Sequence, residues 1–248
     1  MPRICAMFLL WAALGAGACN TRKTASETPT GPSTAPVAAE RETFEPYRPD
    51  SSATRLELTT PYGTMKVELY CNTGLHKENF LKLVKEGFFE GLLFHRVVSG
   101  FMIQGGDPTS RNAPAHTRLG GGGPGYTLPA EFDDHYVHVK GALCAARLGD
   151  EANPGKESSG SQFYLVQGRP VSAEQLDHYE RTKGIAYSAR QRWEYQNIGG
   201  TPQLDREYTV FGRVYEGLEV IDKIAEQSVN GDSRPLKNVT MQWKVIGH

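Results

Sequence analysis

Two short runs of alternating apolar residues constrain this chain most: Leu56 and Leu58 within residues 55–60, then Met65, Val67 and Leu69 within residues 64–70. A period of two buries one face of a β-strand and leaves the other outward. Pro61, Tyr62 and Gly63 between the runs supply a turn, so the pair predicts a hairpin. A lone hairpin is marginal in water, and its apolar face needs further strands to cover it. The chain provides them. Val239, Met241, Trp243 and Val245 alternate within 239–246, and apolar runs at 142–146, 162–166 and 209–215 suit buried strands. Helical spacing occurs at 77–86, with Phe80, Leu81 and Val84 inward and Gly87 as terminator, and at 218–226, with Ile221, Ile224 and Ala225 inward. The expectation is a mainly β domain over residues 54–248, long enough for one sizeable core.

The first part of the chain is not expected to belong to that domain. Arg3 precedes an apolar run at 4–14, which is too short to span a bilayer, and Ala16-Gly17-Ala18 forms a small-residue cleavage site. Residues 1–18 therefore read as an export signal. Cys19 follows the cut directly, and the stretch resembles a bacterial lipoprotein signal, with Ala16 standing where leucine is usual. That resemblance implies lipidation at Cys19 and attachment to a membrane of the cell envelope; ordinary secretory cleavage at the same bond is the alternative. Residues 20–53 are rich in Thr, Ser, Pro, Ala and Glu, with no large apolar run to offset ordering entropy, and read as a disordered tether. Removing residues 1–18 deletes one arginine and no acid, leaving 26 basic against 28 acidic residues, a balance of −2. So small a charge gives no electrostatic reason to expect nucleic acid. Cys71 and Cys144 remain in the domain and read as buried free thiols.

Four motifs carry the chemistry. FHRVVSGFMIQGGDP, from Phe94 to Pro108, places Arg96 near Phe101, Met102 and Gln104. GALCAARLG begins at Gly141, SGSQFYLV at Ser159 and YTVFGRVYEGLEVIDKI at Tyr208. Found together in this order, they resemble the cyclophilin-type peptidyl-prolyl isomerases over most of the chain from about Arg55. The resemblance implies a closed eight-stranded antiparallel β-barrel capped by two α-helices, with no cofactor and no metal, acting as a monomer on proline-containing polypeptides. It also implies that Arg96 is catalytic and that Phe101, Met102, Tyr164 and Leu204 line a proline pocket with Tyr208 at its edge. Gln104 is expected to orient Arg96, while Gln162 and the backbone of Ala146 and Arg147 hold the substrate main chain. Tyr164 replaces phenylalanine, Arg147 asparagine and Tyr208 histidine of the best-known eukaryotic members.

The residue chemistry suits those roles. Rotation about an X-Pro bond faces a barrier of about 18–20 kcal/mol from amide conjugation. An arginine carries a permanent charge and a planar fork of N–H donors, suited to stabilising the twisted amide without nucleophile or metal. A binding module that holds proline segments without turnover is the rival reading, although such a module has no use for the arginine fork. His135 and His138 have H-x-x-H spacing without a third ligand, and the Gly120–Gly123 run lacks the GK[ST] of a phosphate loop. Two segments exceed a minimal cyclophilin: the Gly-rich stretch 109–126 and an insertion at 170–200. The insertion reads as two helices, starting at Ser172 and Ser188, lying beside the pocket with Trp193 and Tyr195 facing bound protein.

Overall fold

The computed structural model describes residues 44–45 and 47–247. The export signal, Cys19 and most of the expected tether lie outside the described residues. Among the described residues there are ten strands: β1 Thr54–Thr60, β2 Gly63–Leu69, β3 Arg96–Val98, β4 Met102–Gly105, β5 Thr127–Leu128, β6 Ala142–Ala145, β7 Ser158–Ser159, β8 Phe163–Val166, β9 Val210–Glu216 and β10 Gln242–Gly247. The helices are α1 Gly74–Lys85, α2 Ala173–Lys183, α3 Ala189–Asn197 and α4 Leu218–Ala225. The expected hairpin forms in full register, with Leu56 opposite Val67 and Leu58 opposite Met65.

Eight strands make one curled antiparallel sheet in the order β10-β1-β2-β9-β6-β8-β4-β3; β5 and β7 pair separately. The resemblance implied a closed barrel, and here the expectation needs correction, because no ladder joins β10 to β3. Single backbone bonds cross the gap instead, from Phe94 N–H to the Val239 carbonyl at 2.9 Å and from Met241 N–H to the Leu92 carbonyl at 3.0 Å. β3 begins only at Arg96, beyond the point where residues 91–94 meet 239–241, so these bonds do not extend into strand pairing.

The concave side holds the main core. Phe80, Phe89, Phe163 and Trp243 pack there, with Phe80 edge-on to both Phe163 and Trp243 at ring separations of 5.4 and 5.0 Å. Edge-to-face contact of this kind adds to the burial of large apolar area. Helix α1 packs against β9 and β10, and α4 against β2, β3 and β4. In α1 the residues inside are His76, Phe80, Leu83 and Val84, at helical spacing; Leu81 sits only at the margin, so Leu83 takes the place expected for it. Cys144 is buried and Cys71 is exposed, which corrects the reading of both thiols as buried. Cys71 lies just past the end of β2, where the chain turns outward toward α1.

The insertion is the two-helix unit expected. Ser172 and Ser188 each accept from the backbone N–H three residues on, and Gln175 and Gln191 reach back to complete capping boxes. Its ends meet at Gly168 and Gly200, where a Cβ on Gly168 would collide with the Gly200 backbone. Val137, Val139, Val171, Leu176, Ile185, Tyr187 and Tyr195 form a small second core beneath it. Tyr195 is fully buried and does not face a bound protein as the sequence suggested; Trp193 is half-buried and packs on Phe44, 5.8 Å away.

A buried ion pair fixes the insertion to the sheet. Arg213 of β9 donates to Glu194 of α3 at 3.0 Å, with side chains 7% and 4% exposed, and Arg190 adds a bond to the same carboxylate. Removing one partner of such a pair leaves an uncompensated charge, at a cost of about 3–5 kcal/mol. Glu194→Ala should therefore lower the unfolding free energy in urea by about 3 kcal/mol or more. A change within ordinary surface-mutation range would show that the pair does not anchor the insertion.

Candidate active site

The alternation of strand side chains puts the site on the face opposite the core. Along β8, Phe163 and Leu165 enter the main core, while Tyr164 and Val166 join a separate apolar cluster with Met102, Ala142, Cys144, Ala146 and Val210. Phe101, Leu204 and Tyr208 pack at its partly exposed margin. Pairing then aligns the polar residues. Arg96 is opposite Gln104 on β3 and β4, Gln104 opposite Tyr164 on β4 and β8, and Tyr164 opposite Cys144 on β8 and β6. Directly opposed residues share a face, so the four form one row across four strands.

Arg96 is exposed at the end of that row. Its Nη1 donates to Gln104 Oε1 at 3.3 Å and lies 3.9 Å from Met102 Sδ. Gln104 Nε2 donates to Gln162 Oε1 at 3.0 Å, and Gln162 Nε2 donates to the carbonyls of Gly120 and Gly122 at 2.9 and 2.7 Å. A chain of amides thus runs from the guanidinium to the Gly-rich loop. Asp107 holds that loop from below, accepting from the backbone N–H of Thr109, Gly120 and Gly122. Burial raises the Asp107 pKa, but these donors and the Thr109 hydroxyl outweigh it and hold the carboxyl below its ordinary value. A side chain on Gly122 would strike the Asp107 carboxylate, which explains a glycine there better than flexibility does.

The sequence-expected site residues gather in this one place, with some differences in how they are held. The Ala146 N–H is already taken by the Gln162 carbonyl at 2.9 Å, and its carbonyl accepts from Ser159 N–H at 2.8 Å. Only the carbonyl of Ala146 retains a free lone pair for another donor. The Arg147 side chain is buried. It donates to the Glu207 carbonyl at 2.8 Å and to Asp150 at 2.5 Å, and its guanidinium lies 4.5 Å above the Tyr208 ring. Tyr208 in turn meets Tyr164 edge-on at 5.8 Å.

Two functional features were not read from the sequence. His95, next to Arg96, is buried with neither ring nitrogen hydrogen-bonded. Its desolvation lowers the pKa to about 4, so the ring adds no second positive charge beside the arginine near neutral pH. His138 is buried on Asp205 rather than paired with His135, which bonds Asp133 at the surface. A histidine flanked by a phenylalanine and an arginine carries no sequence signal of that kind of burial.

A groove of about 580 Å³ extends from Gln104 past Gly120–Gly123 to Ala146, Arg147 and Gln162. Such a groove, continuous with the Arg96 row, has room for the residues flanking a proline.

Comparison with known proteins agrees with this geometry. The family model described as cyclophilin type peptidyl-prolyl cis-trans isomerase/CLD matches residues 55–245. A Staphylococcus aureus (strain COL) protein, provisionally named a peptidyl-prolyl cis-trans isomerase, is 33% identical over 189 residues, 76% of this chain and 89% of that protein. A Streptococcus pyogenes serotype M6 protein, provisionally named a bifunctional phosphatase/peptidyl-prolyl cis-trans isomerase, is 34% identical over 194 residues; the match spans 76% of this chain and 37% of that longer protein. Among solved structures, a Cryptosporidium parvum cyclophilin type peptidyl-prolyl cis-trans isomerase shares the fold with a TM-score of 0.56 and 24% identity, over 79% of this chain and 99% of that one. A second structure of the same protein, determined in the presence of the dipeptide Ala-Pro, gives a TM-score of 0.55 at 23% identity, over 78% and 99% of the two chains. With the Arg96 row, the apolar cluster and a family match over most of its length, the chain belongs to the cyclophilin-type peptidyl-prolyl cis-trans isomerases.

Proposed function

We propose that this isomerase acts on X-Pro bonds of exported proteins from a membrane-tethered position, with Arg96 as its catalytic residue. The observation that carries the catalytic reading is the Arg96–Gln104 pair at the edge of the Met102–Tyr164 apolar cluster. The proline ring fits against Phe101, Met102, Tyr164 and Leu204, with Tyr208 at the rim. From there the Arg96 fork reaches the prolyl carbonyl. As the amide twists, conjugation is lost and the nitrogen becomes pyramidal; a fixed cation with directed donors stabilises that state more than the planar one. Gln104 holds the fork by its Oε1, and Met102 supports it from one side. Gln162 and the Ala146 and Arg147 backbone receive the preceding residues along the groove. No bond to the substrate forms or breaks in this scheme, and binding energy goes into positioning and electrostatics.

Loss of one preorganised donor typically costs about 2.7–4 kcal/mol in the transition state. Arg96→Ala should therefore reduce kcat/KM in a protease-coupled prolyl-peptide assay by about a hundredfold or more, with the fold intact by circular dichroism. Near-wild-type turnover would remove Arg96 from the mechanism.

His95, its pKa lowered to about 4 by burial, stays neutral beside Arg96 between about pH 5 and 9, so kcat/KM should be flat there. Stability behaves differently. The folded His95 pKa is lowered to about 4, so the unfolded chain takes up a proton first as pH falls below about 6.5. Its contribution is complete above that value and is lost on the way down to about pH 4, by up to about 3 kcal/mol. Urea unfolding at pH 7 and pH 4.5 should show a smaller difference for His95→Asn than for wild type. Equal differences would mean that His95 is not the buried neutral group described.

The tethered location rests on the Cys19 signal. In a bacterial host, Cys19→Ala should abolish palmitate labelling and move the protein into the soluble fraction. Wild-type protein that is already soluble and unlabelled would contradict membrane attachment.

A further inference from the structure

The isomerase mechanism leaves unused a buried carboxylate whose acceptor sites are all filled. Asp205 is 2% exposed and directly follows Leu204, a pocket residue. Its Oδ1 accepts from His138 N–H at 2.8 Å and from His138 Nδ1 at 2.7 Å. Its Oδ2 accepts from the hydroxyls of Tyr187 and Tyr195, each at 2.7 Å. A carboxylate offers about four acceptor sites, and all are occupied. Two of those donors come from residues 187 and 195, inside the insertion, and Lys183 of α2 adds a bond to the Asp205 carbonyl at 2.9 Å.

The contacts continue to the pocket. His138 Nε2 lies 3.0 Å from the Tyr164 hydroxyl, within hydrogen-bonding distance. Burial raises the Tyr164 pKa well above its ordinary value, so the hydroxyl keeps its proton. Tyr164 is one wall of the proline pocket and Leu204 is another. The first is tied to Asp205 through His138, the second through the peptide chain. Tyr208, at the rim, bonds its N–H to the Leu204 carbonyl at 3.3 Å. None of Asp205, His138, Tyr187 or Tyr195 reaches the substrate face: each is less than a tenth exposed and sits behind the pocket.

We propose that Asp205 is a positioning residue that sets the spacing of Leu204 and Tyr164, and that the 170–200 insertion supports it through Tyr187 and Tyr195. This inference rests on the isomerase reading, since the pocket it shapes is the proline pocket. The insertion is then part of the active-site scaffold, although it contributes no residue that touches the peptide. Buried hydrogen-bond networks couple their members, so a change at one end is felt at the other. The coupling predicts a particular kinetic pattern. Moving the walls loosens the ring in ground state and transition state alike, which raises KM, while the Arg96 fork and hence kcat are left nearly unchanged.

The test uses the full chain and an Ala-Pro peptide whose exchange between cis and trans is followed by NMR. Variants are Tyr195→Phe, Tyr187→Phe/Tyr195→Phe and Asp205→Asn, each made alone and with Tyr164→Phe, and each melted to measure folded fraction. The tyrosine pair and Asp205→Asn are expected to raise KM by about three- to thirtyfold with kcat within about twofold of wild type. Adding Tyr164→Phe to Asp205→Asn should cost less than the two single effects multiplied together. If Asp205→Asn does not fold, the tyrosine variants carry the same comparison. Folded variants with a lowered melting temperature but wild-type KM, or strictly multiplicative effects, would make the network purely structural and overturn the proposal. A wild-type chain without turnover would defeat the isomerase reading instead, and Ala-Pro peptide affinity across the same variants would then decide the coupling.

Discussion

The two-residue period of β8 is the constraint on which the rest of this molecule depends. Phe163 and Leu165 enter a core of stacked aromatics, and that commitment leaves Tyr164 and Val166 on the opposite face. A shift of one residue would send Tyr164 into the core and a phenylalanine onto the face of the candidate site. Pairing with β4 on one side and β6 on the other passes the same choice to Met102, Gln104 and Cys144. β3 then brings Arg96 to the end of the row. The geometry of the candidate site is therefore a consequence of sheet register, and the core is what holds that register.

The polar side of the site follows a second rule: each buried donor or acceptor is tied to the next. Gln104 and Gln162 have amides that point one way only, because Arg96 supplies a donor at one end and the Gly120 and Gly122 carbonyls supply acceptors at the other. Asp107 fixes the loop that carries those carbonyls. On the other flank, Asp205 does the same for Leu204 and Tyr164. The exposed Arg96 thus stands between two preorganised networks, and in the proposed mechanism little reorganisation is left for the moment the amide twists. His95 departs from this rule, buried with both nitrogens unpartnered, and its cost is met by losing the charge.

What could be read from the sequence was local. The hairpin turn, the inward residues of α4 and the helix starts at Ser172 and Ser188 each depend on residues within one turn or strand of one another, and the structure has them as expected. The expected pocket residues other than Leu204 fell within four motifs, which is why a resemblance could gather them. Long-range facts stayed hidden. Nothing in the spacing of His138, Tyr187, Tyr195 and Asp205 indicates that they converge, since the bonds span up to 67 positions. The same holds for Leu83 displacing Leu81 in α1, which depends on how the helix is rotated against β9 and β10. The open seam between β3 and β10 depends on where a three-residue strand begins. Tyr195 looked like a surface aromatic on a charged helix, but its hydroxyl has a buried carboxylate to bond.

The central claim is that the Arg96 row and the apolar cluster beside it form one prolyl site. A crystal structure of this chain with a bound Ala-Pro peptide tests it most directly. The account predicts the proline ring against Phe101, Met102, Tyr164 and Leu204, with the Arg96 guanidinium within hydrogen-bonding distance of the prolyl carbonyl. A peptide seated elsewhere, or one in this pocket with Arg96 turned away toward solvent, would contradict it.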